Sequence, residues 1–152
     1  MSILMEIELS DYSYKEENQS NYELSTIMTE KDEREWEVII SKVFDFECNI
    51  EKNLKNEEIY NPKRVFILRD GEKIVATASA WYRQIYGEEY GYLHMVAVDS
   101  DYRGKGLSYL VVNEAIKFMK NEGRKKVILK TDDFRKAAIK VYTNLGFKIK
   151  DK

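Results

Sequence analysis

The chain has 152 residues, of which 43% are hydrophobic and 34% are charged, and its formal net charge is −2. This length predicts one domain over residues 1–152, and the mixed charge disfavours general nucleic-acid binding, which usually shows a basic excess. A single cysteine excludes a disulfide framework within the chain, and a single histidine disfavours a histidine-based zinc site, so we expect no metal.

The N-terminal sequence MSILMEIELS contains two glutamates and no basic residue, so it does not resemble a secretory signal. No apolar run approaches the roughly 18 residues that a membrane span requires. We therefore expect a cytoplasmic protein with neither a membrane nor a nucleic acid as its partner.

Two strand-like segments lie on either side of the polar residues 11–20, which predict a loop: Ile3–Leu9 and Tyr22–Met28. The second is followed by Thr29 and, three residues later, by Asp32, a spacing that resembles a capping box at the start of a helix. Apolar residues then recur at helical spacing through Val43. The pattern allows this helix, or a second one, to continue to about Lys55.

A hairpin comes next. Val65–Leu68 is strand-like, Lys73–Tyr82 is predicted as the returning strand, and Asp70-Gly71 between them is a strong turn signal, so the two strands should be antiparallel. Gln84–Tyr90 is polar and aromatic and predicts a loop. Tyr92–Val98 follows as another strand.

Two amphipathic helices and two short strands complete the chain. The apolar stripes of the helices extend over Leu107–Met119 and Phe134–Leu145, and a glycine suited to a C-terminal cap follows each. Val127–Lys130 and Phe147–Ile149 predict strands. A strand, helix, strand succession implies a parallel pair, so with the hairpin it predicts an α/β domain with a mixed central β-sheet and flanking helices.

The loop before the first of these helices has the residues of an anion site. Gly104 and Gly106 let the main chain approach phosphate oxygens closely, the helix start adds positive potential, and Arg103 and Lys105 add charge. A solvated turn is the alternative. The spacing matches neither the Walker loop nor the dinucleotide-binding fingerprint.

Two motifs together resemble the GCN5-related N-acetyltransferases, the GNAT family. The cofactor motif [Arg/Gln]-x-x-Gly-x-[Gly/Ala] is matched by Arg103-Gly-Lys-Gly106-Leu-Ser108 after a strand that ends Met95-Val-Ala-Val98. The segment Ala138-Ile-Lys-Val-Tyr-Thr-Asn-Leu-Gly-Phe147 is similar to the family's Ala-Ile-x-x-Tyr-x-x-x-Gly-Phe. The resemblance implies the GNAT fold, acetyl-CoA as co-substrate, and direct transfer of an acetyl group to a primary amine of a small molecule or peptide.

The resemblance also implies which residues bind the cofactor: Met95, Val96, Ala97, Val98, Arg103, Gly104, Lys105, Gly106, Leu107, Ser108 and Arg135. Three departures from the family stand out. Ser108 replaces a Gly or Ala, Arg135 replaces an Asn, and no segment after Phe147–Ile149 predicts the seventh family strand. The sequence does not show whether that strand is missing, very short or supplied otherwise.

Candidate catalytic residues follow from the same resemblance. Tyr142 occupies the position of the family's general acid and would protonate or hydrogen-bond the leaving thiolate, although it could simply pack in the apolar stripe. Strand alternation would put His94 on one face with Val96 and Val98, where it could deprotonate the amine. A core histidine is the alternative there. Cys48 is disfavoured as an acyl carrier because a lone cysteine is usually a small core residue.

The acceptor is expected near the aromatic and acidic loop before His94, at Tyr82, Tyr86, Glu88 and Glu89, because such residues suit a cationic amine. Glu88 and Glu89 are also alternative bases. The same residues could instead form a packed surface loop or a homodimer contact. A non-catalytic acyl-CoA sensor that keeps the loop but does not turn over is the alternative function.

Overall fold

Seven β-strands and three α-helices follow one another in a computed structural model that describes residues 1–12 and 21–150. The strands are β1 (Ser2–Glu8), β2 (Glu23–Thr26), β3 (Val65–Asp70), β4 (Lys73–Trp81), β5 (Tyr90–Val98), β6 (Lys126–Asp132) and β7 (Lys148–Ile149). The helices are α1 (Glu30–Phe44), α2 (Leu107–Asn121) and α3 (Lys136–Leu145). Most of the predicted loop 11–20, namely residues 13–20, lies outside the described residues.

The strands form one sheet in the order β2-β3-β4-β5-β6-β1-β7. Only β5 and β6, which α2 connects, run parallel, and every other neighbouring pair is antiparallel. The predicted mixed sheet and the predicted hairpin of β3 and β4 are therefore confirmed. The predicted strands and the last two helices differ from the observed ones only at their ends, by one or two residues.

Helix α1 begins where the capping box predicts. It ends at Phe44, well before Lys55, which the sequence pattern allowed as its end. The Thr29 side chain accepts a hydrogen bond from the Asp32 amide, and the Asp32 carboxylate accepts one from the Thr29 amide, which completes the capping box. The helix stops at Phe44 because Asp45 takes a left-handed conformation with φ of 55°. A single π-helical turn at Glu51–Lys55 follows separately, so continuation of one helix to Lys55 is wrong.

The N-terminal strand β1 supplies the seventh strand of the sheet. It lies between β6 and β7 and is antiparallel to both, so Met5 pairs with Leu129 on one side and with Ile149 on the other. The Lys150 amide adds a hydrogen bond to the Leu4 carbonyl at 2.9 Å. The predicted N-terminal strand is therefore an interior strand that joins the last strand to the rest of the sheet.

Helices cover the two faces of the sheet unequally. Helices α2 and α3 pack on one face, where Val111, Ala115 and Tyr142 meet Met5 and strands β3–β6. Helix α1 packs on the other face, where its buried Trp36 and Ile40 belong to the same cluster as residues of β3, β4 and β5. Among the helices that the structure describes, none is both long and apolar enough to cross a membrane.

A β-bulge interrupts β5 in its second half. Thr77 of β4 pairs with Ala97 and Ser79 pairs with His94, so β5 contains one residue more than β4 between these two pairs. Met95 within this stretch has a φ of 52°, which is uncommon for a residue other than glycine. The bulge breaks the alternation of side chains. His94 faces the α1 side, while Val96 and Val98 pack on the α2 side, and the prediction that these three residues share a face is wrong.

We expect Met5→Ala to lower the free energy of unfolding by about 2–5 kcal/mol, because Met5 is 1% exposed and its removal leaves a cavity beneath α2 and α3. The matched control in the same strand is Glu8→Ala. Glu8 is exposed and forms only a surface ion pair with Lys126, so its loss should cost less than about 1 kcal/mol. Urea unfolding measures both changes. Equal effects would show that β1 does not belong to the core.

Candidate active site

The parallel pair β5 and β6 separates partway along its length. The last paired residues are Leu93 and Leu129, so the second half of β5, His94–Val98, has no partner on the β6 side. A cavity of about 1000 Å³ opens at this point. Its walls come from both faces of the sheet, from the glycine loop and from the start of α3.

The N-terminus of α2 opens into this cavity without a side-chain cap. Gly106 is the N-cap residue, has a left-handed φ of 74°, and forms no side-chain cap hydrogen bond. The N-terminus of α3, at Arg135, likewise lacks a side-chain cap. Helix α1 differs, because Thr29 and Asp32 satisfy its first amides. Two helix ends with uncapped amides and positive potential therefore meet the cavity, which suits an anionic ligand.

Asp99 anchors the start of the glycine loop. Its buried carboxylate accepts hydrogen bonds from Lys42 Nζ of α1 at 3.2 Å and from the Asp101 amide at 3.0 Å, and Lys73 Nζ of β4 lies 3.4 Å away. Burial raises the pKa of Asp99, but these hydrogen bonds and positive charges outweigh burial and hold the pKa below its ordinary value. The ionised carboxylate thus ties the loop to both α1 and β4.

The residues predicted to bind the cofactor collect around the cavity. Ten of them line it: Met95, Val96, Ala97, Val98, Arg103, Gly104, Gly106, Leu107, Ser108 and Arg135. Lys105 does not. Lys136 and Lys140 also line the cavity, and the sequence analysis missed them. The sequence could have indicated them, because two lysines four residues apart share one face of the predicted last helix.

Tyr142 lies in the wall that α3 contributes. Its side chain is buried and its ring meets Phe147 edge to face at 5.9 Å between centroids, so the predicted packing role is present. It also lines the cavity, which is the position that hydrogen bonding to a ligand requires. Burial raises the pKa of the Tyr142 phenol well above its ordinary value. The hydroxyl therefore stays protonated at neutral pH.

His94 lines the cavity on the opposite face of the sheet. Its ring lies between those of Trp81 and Tyr92, with centroids 5.7 and 5.2 Å away, and its Nε2 is buried with no hydrogen-bond partner in the described part of the chain. Burial, and secondarily the positive charge of Arg83, lowers the pKa of His94 from 6.5 to about 3. The imidazole is therefore neutral at physiological pH.

The residues predicted to bind the acceptor lie at the other end of β5. The Tyr82 ring faces the Arg124 guanidinium at 4.2 Å, and Arg124 donates a hydrogen bond to the Glu88 carbonyl at 2.7 Å. The Glu89 carbonyl accepts hydrogen bonds from the first amides of the β6 region. Tyr86 stacks on Tyr92 at 5.4 Å, and Tyr92 itself lines the cavity. None of the four predicted residues is part of the cavity lining.

Four residues that the sequence patterns did not indicate line the cavity instead: Ser2 of β1, Phe44 at the end of α1, Asp132 at the end of β6, and Phe134 before α3. No local pattern marks Ser2 or Phe44, because folding alone brings them to this place. Asp132 and Phe134 lie within three residues of Arg135, and this closeness to a predicted site residue was the available signal.

Cys48 has no access to the cavity. It is 7% exposed and does not line the opening. Burial, together with the negative charge of Glu37, raises the pKa of the Cys48 thiol to about 11, so the thiolate is scarce at neutral pH. These properties agree with the expectation that Cys48 is a core residue.

The sheet order, the separated parallel pair and the uncapped glycine loop define a GNAT fold. The sequence model of the Acetyltransferase (GNAT) family matches residues 26–147, and the chain belongs to that family. A solved structure of an aminoglycoside N-acetyltransferase in complex with CoA has a TM-score of 0.71 to this chain at 17% identity, over 86% of this chain and 90% of that one. At this identity the likeness shows the fold.

Curated relatives match the chain over shorter stretches. An uncharacterized N-acetyltransferase of Methanocaldococcus jannaschii is 36% identical over 77 residues, which are 51% of this chain and 34% of that protein. N-alpha-acetyltransferase 30 of Xenopus laevis is 45% identical over 62 residues, 41% of this chain and 22% of that protein. The matched stretches thus span about a third of these relatives or less.

The pKa of His94 can be tested without assignment problems, because this is the only histidine of the chain. We expect its imidazole NMR signals not to titrate between pH 8 and pH 5. Since the pKa in the folded state lies below that of the unfolded state, the free energy of unfolding should fall by about 2 kcal/mol between pH 7 and pH 5. His94→Gln should remove that decrease. A titration midpoint near 6.5 would contradict the burial argument.

Proposed function

We propose that the protein is an acetyl-CoA-dependent N-acetyltransferase that moves the acetyl group directly to a primary amine of a small molecule or peptide. One observation carries this proposal. The separation of β5 from β6 opens beside the uncapped N-terminus of α2, so a phosphate site and an unpaired strand edge share one cavity. Acetyl-CoA has an anionic end that suits the phosphate site and an amide-containing arm that suits the unpaired strand edge.

The diphosphate of the donor is proposed to bind at the glycine loop. The amides that begin α2 would donate to its oxygens, and the left-handed Gly104 and Gly106 leave room for that approach. Arg103, Lys136 and Lys140 line the same cavity and would supply positive charge. Asp99 supports the site indirectly, because it fixes the start of the loop.

The reacting thioester is proposed to lie at the bulge of β5. The arm of the donor would pair with the free edge of Met95–Val98, and the Val96 amide would stabilise the negative charge that develops on the carbonyl oxygen. Binding both reactants in the gap supplies much of the catalysis, because the reaction then needs no encounter in solution. The buried position of Cys48 supports direct transfer without an acyl-enzyme.

Tyr142 is proposed to donate a hydrogen bond to the departing sulfur. Full proton transfer from a phenol of ordinary pKa to a thiolate already costs about 2 kcal/mol. Burial raises the pKa of Tyr142 and increases that cost. Hydrogen-bond stabilisation of the thiolate is therefore the role that the environment supports best.

The role of general base that the sequence suggested for His94 is not the one we propose. A histidine with a pKa of about 3 accepts a proton poorly from an ammonium group, and its Nε2 is enclosed. Glu88 and Glu89 lie outside the cavity lining. We propose that the amine loses its proton to water in the cavity, and that neutral His94 forms part of the acceptor wall.

The function is tested by calorimetry with acetyl-CoA, followed by thiol release across a panel of primary amines. Binding together with release from at least one amine supports the enzyme. Binding without release from any amine would favour the acyl-CoA sensor instead. The similar proteins include an N-alpha-acetyltransferase and an aminoglycoside N-acetyltransferase, which supports a panel of both peptides and small amines.

Gly106→Val should weaken coenzyme A binding at least about tenfold, because a β-branched residue in a left-handed conformation costs about 1–2 kcal/mol and shifts the loop. Gly71→Val is the matched control. Gly71 has a similar φ of 63° at the tip of the β3–β4 hairpin, with nothing within 4 Å of an added Cβ. The Gly71→Val variant should lose as much stability as Gly106→Val but keep its affinity for coenzyme A. Calorimetry at a temperature below the melting points of both variants measures the two affinities. Equal affinity in both variants would contradict the phosphate site.

Tyr142→Phe should lower kcat about tenfold or more and leave the dissociation constant of coenzyme A within about twofold, because the phenol acts on the leaving sulfur. The substitution keeps the ring that packs on Phe147, so the fold should persist. Steady-state thiol release and calorimetry give the two quantities. An unchanged kcat would remove Tyr142 from the reaction.

A further inference from the structure

The side chain of Arg135 occupies a small cage in the cavity wall. Its guanidinium carbon lies 4.7 Å from the ring centroid of Phe44 and 5.2 Å from that of Phe134. Its Nε lies 3.8 Å from an Asp132 carboxylate oxygen. Two aromatic faces and one carboxylate form a common environment for a cation, and here a residue of the chain itself fills it.

This cage is open to the cavity, because all four residues line it. Among the described lining residues Asp132 is the only acidic one, while five are basic: Arg103, Lys130, Arg135, Lys136 and Lys140. A carboxylate opposes the binding of an anionic donor, so its presence needs another reason. Half of the Asp132 side chain is solvent-accessible (43%), which leaves it able to meet a ligand.

The position of the cage fits the acceptor better than the donor. Asp132 and Val96 each lie three residues beyond the last paired residues, Leu129 and Leu93, so they stand on opposite sides of the gap. Phe44 reaches the gap from α1, on the sheet face that His94 also occupies. Ser2 of β1 adds a hydroxyl that donates to Asp132 at 3.4 Å.

We propose that Phe44, Phe134 and Asp132 form a cation cage for the acceptor, and that Arg135 fills it while the acceptor is absent. This inference rests on the proposed function. The nitrogen that attacks the thioester must be neutral, and a carboxylate beside it would favour its charged form. The cage therefore receives a second, non-reacting cation. The acceptors are amines that carry another positive charge, such as diamines, polyamines or peptides with a basic side chain.

Two neighbouring substitutions should act in opposite directions on such acceptors. Asp132→Asn removes the charge of the cage and should raise the KM for a diamine about tenfold. Arg135→Ala removes the internal competitor and should lower that KM several-fold. If Arg135 were only a ligand of the donor, Arg135→Ala would raise the KM for acetyl-CoA and leave the KM for the diamine unchanged.

The experiment compares 1,4-diaminobutane with butylamine, which lacks the second cation, by thiol release at saturating acetyl-CoA. The wild type should favour the diamine in KM, and Asp132→Asn should abolish the preference by raising the KM for the diamine more than the KM for butylamine. Asp133→Asn is the matched control, because Asp133 pairs with the N-terminal ammonium at 3.2 Å and does not line the cavity. It should behave as the wild type does.

Calorimetry of 1,4-diaminobutane on the coenzyme A-loaded protein provides a readout that needs no turnover. Binding that Asp132→Asn weakens and Arg135→Ala strengthens supports the cage even if neither amine is acetylated. A wild type that neither binds nor prefers the diamine overturns the cage, as does an unchanged preference in Asp132→Asn. Failure of coenzyme A to bind would instead overturn the proposed function, so the two failures are distinguishable.

Discussion

The site depends on an interruption of backbone hydrogen bonding in the middle of the sheet. In a folded protein almost every buried amide and carbonyl needs a partner, and neighbouring strands usually supply it. Beyond Leu93 and Leu129 the two central strands no longer do so, and the bulge at Met95 lies just past this point on β5. The edge that this leaves is one that water or an extended ligand with amide groups can pair with. The fold thus creates the binding site by leaving part of its own ladder incomplete.

Electrostatic features of the loop reinforce this geometry. The amides at the start of α2 have no capping side chain, which is costly unless water or an anion meets them. Asp99 lies just before these amides and is itself neutralised by Lys42 and Lys73, so its negative charge does not repel an anion strongly. The carboxylate serves as an anchor, while the loop after it stays positive. Separating the anchor from the uncapped amides by a few residues lets one short segment be held in place and still suit an anion.

The sequence predicted what local chemistry determines. The capping box of Thr29, the turn at Gly71 and the glycine loop each depend on residues adjacent in sequence, and each is present in the structure. The bulge at Met95 was not predicted, because hydrogen bonding with β4 determines it and Met95 is not a residue type that suggests a left-handed conformation. Because of that one inserted residue, Val96 and Val98 lie on the face of the sheet opposite to His94. The acceptor side was missed for a similar reason, since tertiary packing brings Phe44, Asp132 and Ser2 together.

Strand β1 links the closure of the sheet to the proposed acceptor side of the cavity. It completes the sheet between β6 and β7, and its first residues lie opposite the end of β6, where Ser2 pairs with Asp132. The Asp133 amide donates a hydrogen bond to the Met1 carbonyl at 3.0 Å and ties the same end of β1 to the chain that follows β6. The residue that gives the cavity its single described carboxylate is therefore held by the strand that joins β7 to the sheet. A change in β1 should then alter acceptor binding before it alters the glycine loop, which α2 and Asp99 hold separately.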